Sequence, residues 1–132
     1  ISHDTTRRDF TQAVLEGVAF AFKDCLAALT EAGTRIVKAD VIGGGSQSRY
    51  WLGVLASVLN LPLSRLDGGE AGGALGAARL GRMAATHESA GAVCLPPKRV
   101  ETIEPKRSLV EQYESIYRRY RSLYPCLKEA TS

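Results

Sequence analysis

Ala39-Asp40-Val41-Ile42-Gly43-Gly44-Gly45-Ser46-Gln47-Ser48-Arg49-Tyr50-Trp51-Leu52 is the stretch on which the fold turns. A short apolar run meets three successive glycines and then a segment with helical spacing, which reads as strand, tight turn, helix. Glycines at such a junction remove the Cβ atoms that would hold a ligand off the main chain, and they permit the positive φ of a sharp turn. Ser46 or Ser48 is placed to cap the helix. The positive end of the helix dipole faces the same loop and favours an anionic or hydrogen-bond-accepting ligand, for which a nucleotide is the natural candidate. The alternative is a plain connection in which glycine serves geometry alone. Gly43, Gly45 and Ser48 spell GxGxxS where a dinucleotide fingerprint has GxGxxG, and no Gly-Lys-Ser or Gly-Lys-Thr follows to make a P-loop. The loop is therefore of another nucleotide-binding type.

Working outward, Trp51, Leu52, Leu55, Val58 and Leu59 keep helical spacing over residues 48–59, and Asn60-Leu61-Pro62 ends the helix. At this spacing Trp51 is a packing residue rather than a platform for a base. Residues 63–66 then form a second apolar run, so strand, helix and strand compose a βαβ unit with parallel strands. Asp67-Gly68-Gly69-Glu70-Ala71-Gly72-Gly73 opens a second glycine-rich turn at the carboxyl end of that strand, the edge at which open α/β sheets bind ligands. Asp67 and Glu70 read as helix caps. The small residues of the next helix, residues 74–80, predict close packing against the sheet or another helix.

Upstream, Thr6-Arg7-Arg8-Asp9 has the form of a capping box, so a helix starts there. Phe10, Val14, Val18, Phe22, Cys25, Leu26 and Leu29 recur at steps of three and four and are expected to face the core, with Gly33 as the left-handed stop. Downstream, residues 86–106 lose periodicity and contain Pro96, Pro97 and Pro105, which reads as a surface loop. Leu109, Tyr113, Ile116, Tyr117, Tyr120 and Leu123 mark a last amphipathic helix with arginines on its other face, and Pro125 is expected to stop it.

Composition narrows the function classes. A chain of 132 residues, 45% hydrophobic and 23% charged, is sized for one globular core. A net charge of +3 is too small to argue for nucleic acid and is compatible with an anionic small molecule. Cys25, Cys94 and Cys126 are odd in number and lack CxxC spacing, which fits a reducing cytoplasm better than a disulfide framework or a zinc site. His3 and His87 are far apart and read as surface residues. No apolar run is long enough to span a membrane. The sole methionine is Met83 and the chain opens on Ile1, so a piece of a longer polypeptide is expected. Two strands make an incomplete sheet with an edge that seeks pairing, and a homodimer is one way to satisfy it.

Taken together, these pieces resemble the C-terminal end of the FGGY carbohydrate kinase family over almost the whole chain. The resemblance rests on Thr6-Arg7 before Ala13-Val14-Leu15-Glu16-Gly17-Val18-Ala19-Phe20; on Ile42-Gly43-Gly44-Gly45 with Ser48 and Trp51; on Gly68-Gly69-Glu70 running into Ala74-Leu75-Gly76-Ala77-Ala78-Arg79-Leu80; and on the segment from Tyr117 to Leu127. Ser46 departs from the alanine usual after the triple glycine. The resemblance implies an α/β fold: the C-terminal part of an actin-like ATPase (ribonuclease H-like) domain, with a helix-strand-helix-strand-helix core plus a C-terminal helix. It makes residues 1–132 the last portion of the second, nucleotide-binding domain. By the same resemblance Gly44, Gly45, Ser46 and Arg49 line the adenine and ribose side of ATP, and Gly43 shapes the turn. The catalytic aspartate and the magnesium site fall to a first domain upstream of Ile1. The implied reaction is phosphorylation of a pentulose, D-xylulose, with glycerol, gluconate or ribulose as other acceptors, and a fragment alone would be inactive. A non-catalytic interaction module is the competing class.

Overall fold

The computed structural model describes residues 1–131. Helix α1 (Arg7–Glu31) starts at a full capping box: Asp9 N–H donates to Thr6 Oγ1 at 3.4 Å, and Thr6 N–H donates to Asp9 Oδ2 at 2.8 Å. The Thr6 hydroxyl also donates to Asp9 Oδ2 at 2.7 Å, and this bond, with that from the Thr6 N–H, holds the Asp9 carboxyl below its usual range. The helix stops as expected. Gly33, at φ +89°, lets Thr34 N–H reach Leu29 O and its own N–H reach Thr30 O, the paired bonds of a glycine C-cap.

Strand β1 (Ala39–Val41) leads through the glycines and one 3₁₀ turn, Gly44–Gln47, into α2 (Arg49–Leu59). Asn60 in the left-handed region at φ 50° ends α2. Strand β2 (Leu63–Leu66) follows and pairs with β1 in parallel, Ala39 opposite Leu63 and Val41 opposite Arg65. A second 3₁₀ turn, Gly69–Ala71, precedes α3 (Gly72–Thr86).

The stretch 86–106 is not simply loop. It holds a short helix α4 (Ala90–Val93) and strand β3 (Arg99–Ile103), which runs antiparallel to β2 and completes a sheet of order β1-β2-β3. The prolines read as loop signals bracket the strand, Pro97 before it and Pro105 after it, where no ladder amide is lost. Pro125 likewise does not end the last helix, α5 (Arg107–Thr131), which runs through it. A proline inside a helix removes one backbone donor and crowds the carbonyl four residues back, a local cost that α5 absorbs near its end.

The core gathers Ala19 and Phe20 of α1, Val54, Leu55, Ala56 and Val58 of α2, Leu61, Leu63 of β2, and Tyr113 and Tyr117 of α5. Phe20 is its hub, with ring centroids 6.3, 5.8 and 5.3 Å from those of Tyr113, Tyr117 and Tyr120. The tyrosines thus lie on the apolar stripe of α5 as read from spacing. Ser57, buried in α2, donates to Gly53 O and accepts from Lys106 N–H, which ties the start of α5 to α2.

Two packing expectations are corrected. The α1 stripe is not core: Phe10, Val14, Val18 and Phe22 are 46–66% exposed, and Leu29 and Cys25 are exposed as well. Helical spacing identifies an apolar face but not whether this chain supplies what covers it, and the buried face is the one carrying Ala19 and Phe20. Helix α3 likewise has no buried residue, with Leu80 66% exposed, so its small residues make no close packing within the chain.

Burial, followed by its bond to Asp24, pushes the Tyr117 hydroxyl up to about 12. An unfolded tyrosine releases its proton near pH 10. The neutral ring therefore contributes stability that is fully present below about pH 10 and is lost as pH rises toward 12. Tyr117→Phe should flatten the fall in stability across that window, measured by denaturant unfolding at stepped pH; an unchanged slope would show that Tyr117 does not carry it.

Candidate functional site

Because β1 and β2 are parallel, both glycine-rich turns emerge at the same edge of the sheet, and the structure joins them into one unit. Gly43 sits at φ +86°, and its N–H donates to Gly69 O at 2.8 Å. Gln47 Nε2 donates to Glu70 Oε2 at 3.1 Å. A Cβ at Gly69 would lie 3.3 Å from Leu66 Cβ and 3.5 Å from Val41 O, so any side chain there would crowd the place where the turns meet. Gly72, at φ +47°, brings the start of α3 beside the same turn. A hollow of about 170 Å³ opens between the second turn and α3, lined by Ile42, Leu66, Asp67, Leu75 and Arg79 among others.

Within the first turn Ser46 N–H donates back to Gly43 O at 3.0 Å. The N–H groups of Gly44 and Gly45 have no acceptor among the described residues, and both residues are exposed. Ser48 is the cap of α2, its Oγ accepting from Trp51 N–H at 3.2 Å. Two unpartnered amides thus stand directly ahead of a capped helix, where the helix dipole adds partial positive charge. That arrangement attracts a hydrogen-bond acceptor or an anion.

The remaining residues singled out from the sequence sit close by in different states. Ser46 is fully buried and its Oγ finds no partner among the described residues. Arg49, the first residue of α2, has a side chain 78% exposed that pairs with Glu101 of β3, which also faces Arg65 Nε at 3.7 Å. Trp51 packs against the core as read from its spacing; its Nε1 would lie 3.3 Å from a Cβ added at Gly45. Asp67 and Glu70 do not cap: neither the second 3₁₀ turn nor α3 has a side-chain cap, and Glu70 bonds Gln47 instead. With glycine at the turn and Ala71 before α3, the backbone itself directs the chain.

Sequence reasoning missed four contributors. The close approach at Gly69 was signalled only as part of a glycine doublet. The Gln47–Glu70 bond and the Glu101 partner of Arg49 join segments distant in sequence, and Glu101 lay in the stretch read as loop. Asp40, in the strand feeding the turn, accepts from Arg99 Nε at 2.9 Å and Nη2 at 3.1 Å, which keeps its carboxyl below the usual range. Among the described residues no His, Cys, Asp and Glu cluster could hold a metal ion, and no helix is long and apolar enough to cross a membrane.

Comparison with known proteins shows the family and the fold. The family model for the C-terminal domain of the FGGY family of carbohydrate kinases matches residues 1–85. A crystal structure of a xyloylose kinase from Brucella ovis superposes with a TM-score of 0.82 at 47% identity, covering 98% of this chain and 27% of that one. The xylulose kinase of Staphylococcus epidermidis is 31% identical over 134 residues, and that of Escherichia coli 33% over 125. Those alignments take in 100% and 94% of this chain but only 27% and 26% of the two relatives. The chain thus spans about a quarter of the relatives it matches, and its architecture is that of their C-terminal domain, an actin-like ATPase fold. From the family match over most of its length and from the identity to full-coverage relatives, this chain belongs to the FGGY family of carbohydrate kinases.

Proposed function

We propose that this chain forms the adenosine side of the ATP site in a kinase that converts D-xylulose to D-xylulose 5-phosphate, and that it is inactive by itself. The observation that carries this reading is the pair of unpartnered amides at Gly44 and Gly45, ahead of the capped helix and at the carboxyl edge of parallel strands. Gly44, Gly45 and Arg49 line the adenine and ribose, Ser46, fully buried, backs the turn from within rather than touching the nucleoside, and Gly43 holds the turn. Similarity to xylulose kinases supports the choice of sugar, and residues 1–132 act as the last portion of the nucleotide-binding domain.

In the reaction a sugar hydroxyl oxygen attacks the γ-phosphorus of ATP, the bond to the β,γ-bridging oxygen breaks, and ADP departs. The hydroxyl proton passes to a general base, assigned to the part of the polypeptide that the relatives carry beyond this segment. Magnesium would neutralise charge on the β- and γ-phosphates; the donor set of the described residues does not fit it, so its ligands belong to the nucleotide and that other part. This chain's own work is to bind and orient the nucleoside. The reading places the protein in a reducing cytoplasm, where the three exposed thiols stay free.

Hydrogen exchange of the chain with and without ATP tests the site directly. Nucleotide should slow the amides of Gly44 and Gly45 by about tenfold or more and leave those of α5 unchanged. Equal rates at the two glycines would overturn the assignment.

A further inference from the structure

Arg49 opens α2, the position at which a cation adds to the positive end of the helix dipole instead of offsetting it. Its side chain is 78% exposed, and a long side chain standing in solvent gives up rotamer freedom to hold one direction. One partner fixes it: Arg49 Nη2 donates to Glu101 Oε1 of β3. Glu101 is itself firmly placed. It lies opposite Arg65 in the β2–β3 ladder, its side chain is only 20% exposed, and its second oxygen, Oε2, faces Arg65 Nε at 3.7 Å. That Nε is buried and makes no hydrogen bond among the described residues, so the sheet keeps a second guanidinium charge close behind the carboxylate. One carboxylate thus stands between two guanidinium groups, and the three side chains leave an excess of one positive charge beside the head of α2.

We propose that Glu101 is a positioning residue for the nucleotide: it holds the Arg49 guanidinium at the head of α2, the helix that the free amides of Gly44 and Gly45 precede, so that the N–H groups Arg49 leaves unused meet acceptor atoms of the adenosine. Resting on the nucleotide reading of the first turn, this role brings β3 into the site. The carboxylate acts in two ways. It supplies the charge-assisted bond that orders a side chain otherwise free in solvent. It also screens Arg49 from Arg65; with Glu101 neutralised, a like charge would face Arg49, and repulsion would add to the weakened bond.

The test measures ATP binding to the chain by the fluorescence of Trp51, the sole tryptophan, whose Nε1 would lie 3.3 Å from a Cβ at Gly45 and which therefore reports on the first turn. Arg49→Ala is expected to raise the Kd by about fivefold or more. Glu101→Gln, which keeps the shape and removes the charge, should raise it by about threefold or more with the circular dichroism unchanged. Glu101→Asp, which keeps the charge and shortens the reach, should fall between wild type and Glu101→Gln, and serves the same comparison if the glutamine variant does not fold. The double variant is decisive: a residue acting through Arg49 has nothing left to act on, so Arg49→Ala with Glu101→Gln should match Arg49→Ala alone within about twofold. Adenosine in place of ATP should give the same ratios. Effects that multiply in the double variant, an unchanged Kd for Glu101→Gln, or ratios that vanish with adenosine would each overturn the role of Glu101 and leave the nucleotide site standing. An unchanged Kd for both Arg49→Ala and Gly44→Val would remove the nucleotide reading itself, and this role with it.

Discussion

Gly44→Val is expected to raise the KM for ATP by about tenfold or more, roughly 1.4 kcal/mol of lost binding, with little change in thermal stability. The position separates binding from folding better than its neighbours. At Gly43 the backbone sits at φ +86°, so any side chain strains the turn. At Gly45 a Cβ would press on Trp51, 3.3 Å from Nε1 and 3.4 Å from Cδ1, so a branched residue there disturbs packing as well as the ligand. Gly44 has nothing within 4 Å of its ideal Cβ and an ordinary φ. What a valine occupies there is the space in front of the free amides. The measurement suits a chimera in which this chain replaces the matching C-terminal 27% of the Brucella ovis kinase, assayed with ATP and D-xylulose varied in turn. Gly44→Ala should fall between wild type and valine, and the KM for the sugar should stay within about twofold, because the acceptor belongs to the other part of the enzyme. An unchanged KM for ATP would remove the first turn from the nucleotide site.

Local chemistry made much of this architecture readable in advance. Thr6 and Asp9, Gly33, Ser48 and Asn60 mark helix ends by side-chain or left-handed caps, and each acts where its residue type says it should. The strand-turn-helix-strand order and the parallel pairing follow from short apolar runs joined by a helical segment, the kind of crossover a parallel pair requires. The candidate site was readable as a pair of glycine turns but not as a bonded unit, because Gly43 N–H to Gly69 O is a contact between segments that periodicity treats separately. Strand β3 escaped notice for a different reason: its sequence Arg-Val-Glu-Thr-Ile carries β-branched residues, yet it lies between prolines that read as loop. The α1 stripe marks the limit of the method most clearly. Hydrophobic spacing reports an apolar face, and here nothing among the described residues covers it.

Two phenylalanines of α1 turn that distinction into numbers. Phe20→Ala is expected to destabilise the chain by about 3–5 kcal/mol, the usual range for emptying a buried aromatic site. Phe20 is 3% exposed and touches Tyr113, Tyr117 and Tyr120, so the cavity would open at the junction of α1 and α5. Polar contacts also cross that junction: Tyr117 donates to Asp24, Gln12 Nε2 donates to the Tyr113 hydroxyl at 3.4 Å, and Lys23 Nζ sits 4.7 Å over the Tyr117 ring. The Lys23–Glu114 and Arg121–Asp24 pairs are partly exposed, and such pairs each contribute at most about 1 kcal/mol. Against a total stability of roughly 5–15 kcal/mol for a domain, the loss is enough to unfold part of the population at ambient temperature. Phe22→Ala, two residues along on the opposite side of the helix and 51% exposed, should change the free energy of unfolding by less than about 1 kcal/mol. Urea denaturation of the two variants at low micromolar concentration makes the comparison, with equal slopes required before the midpoints are compared. Equal destabilisation of the isolated chain by both substitutions would mean that the exposed row already has cover within it.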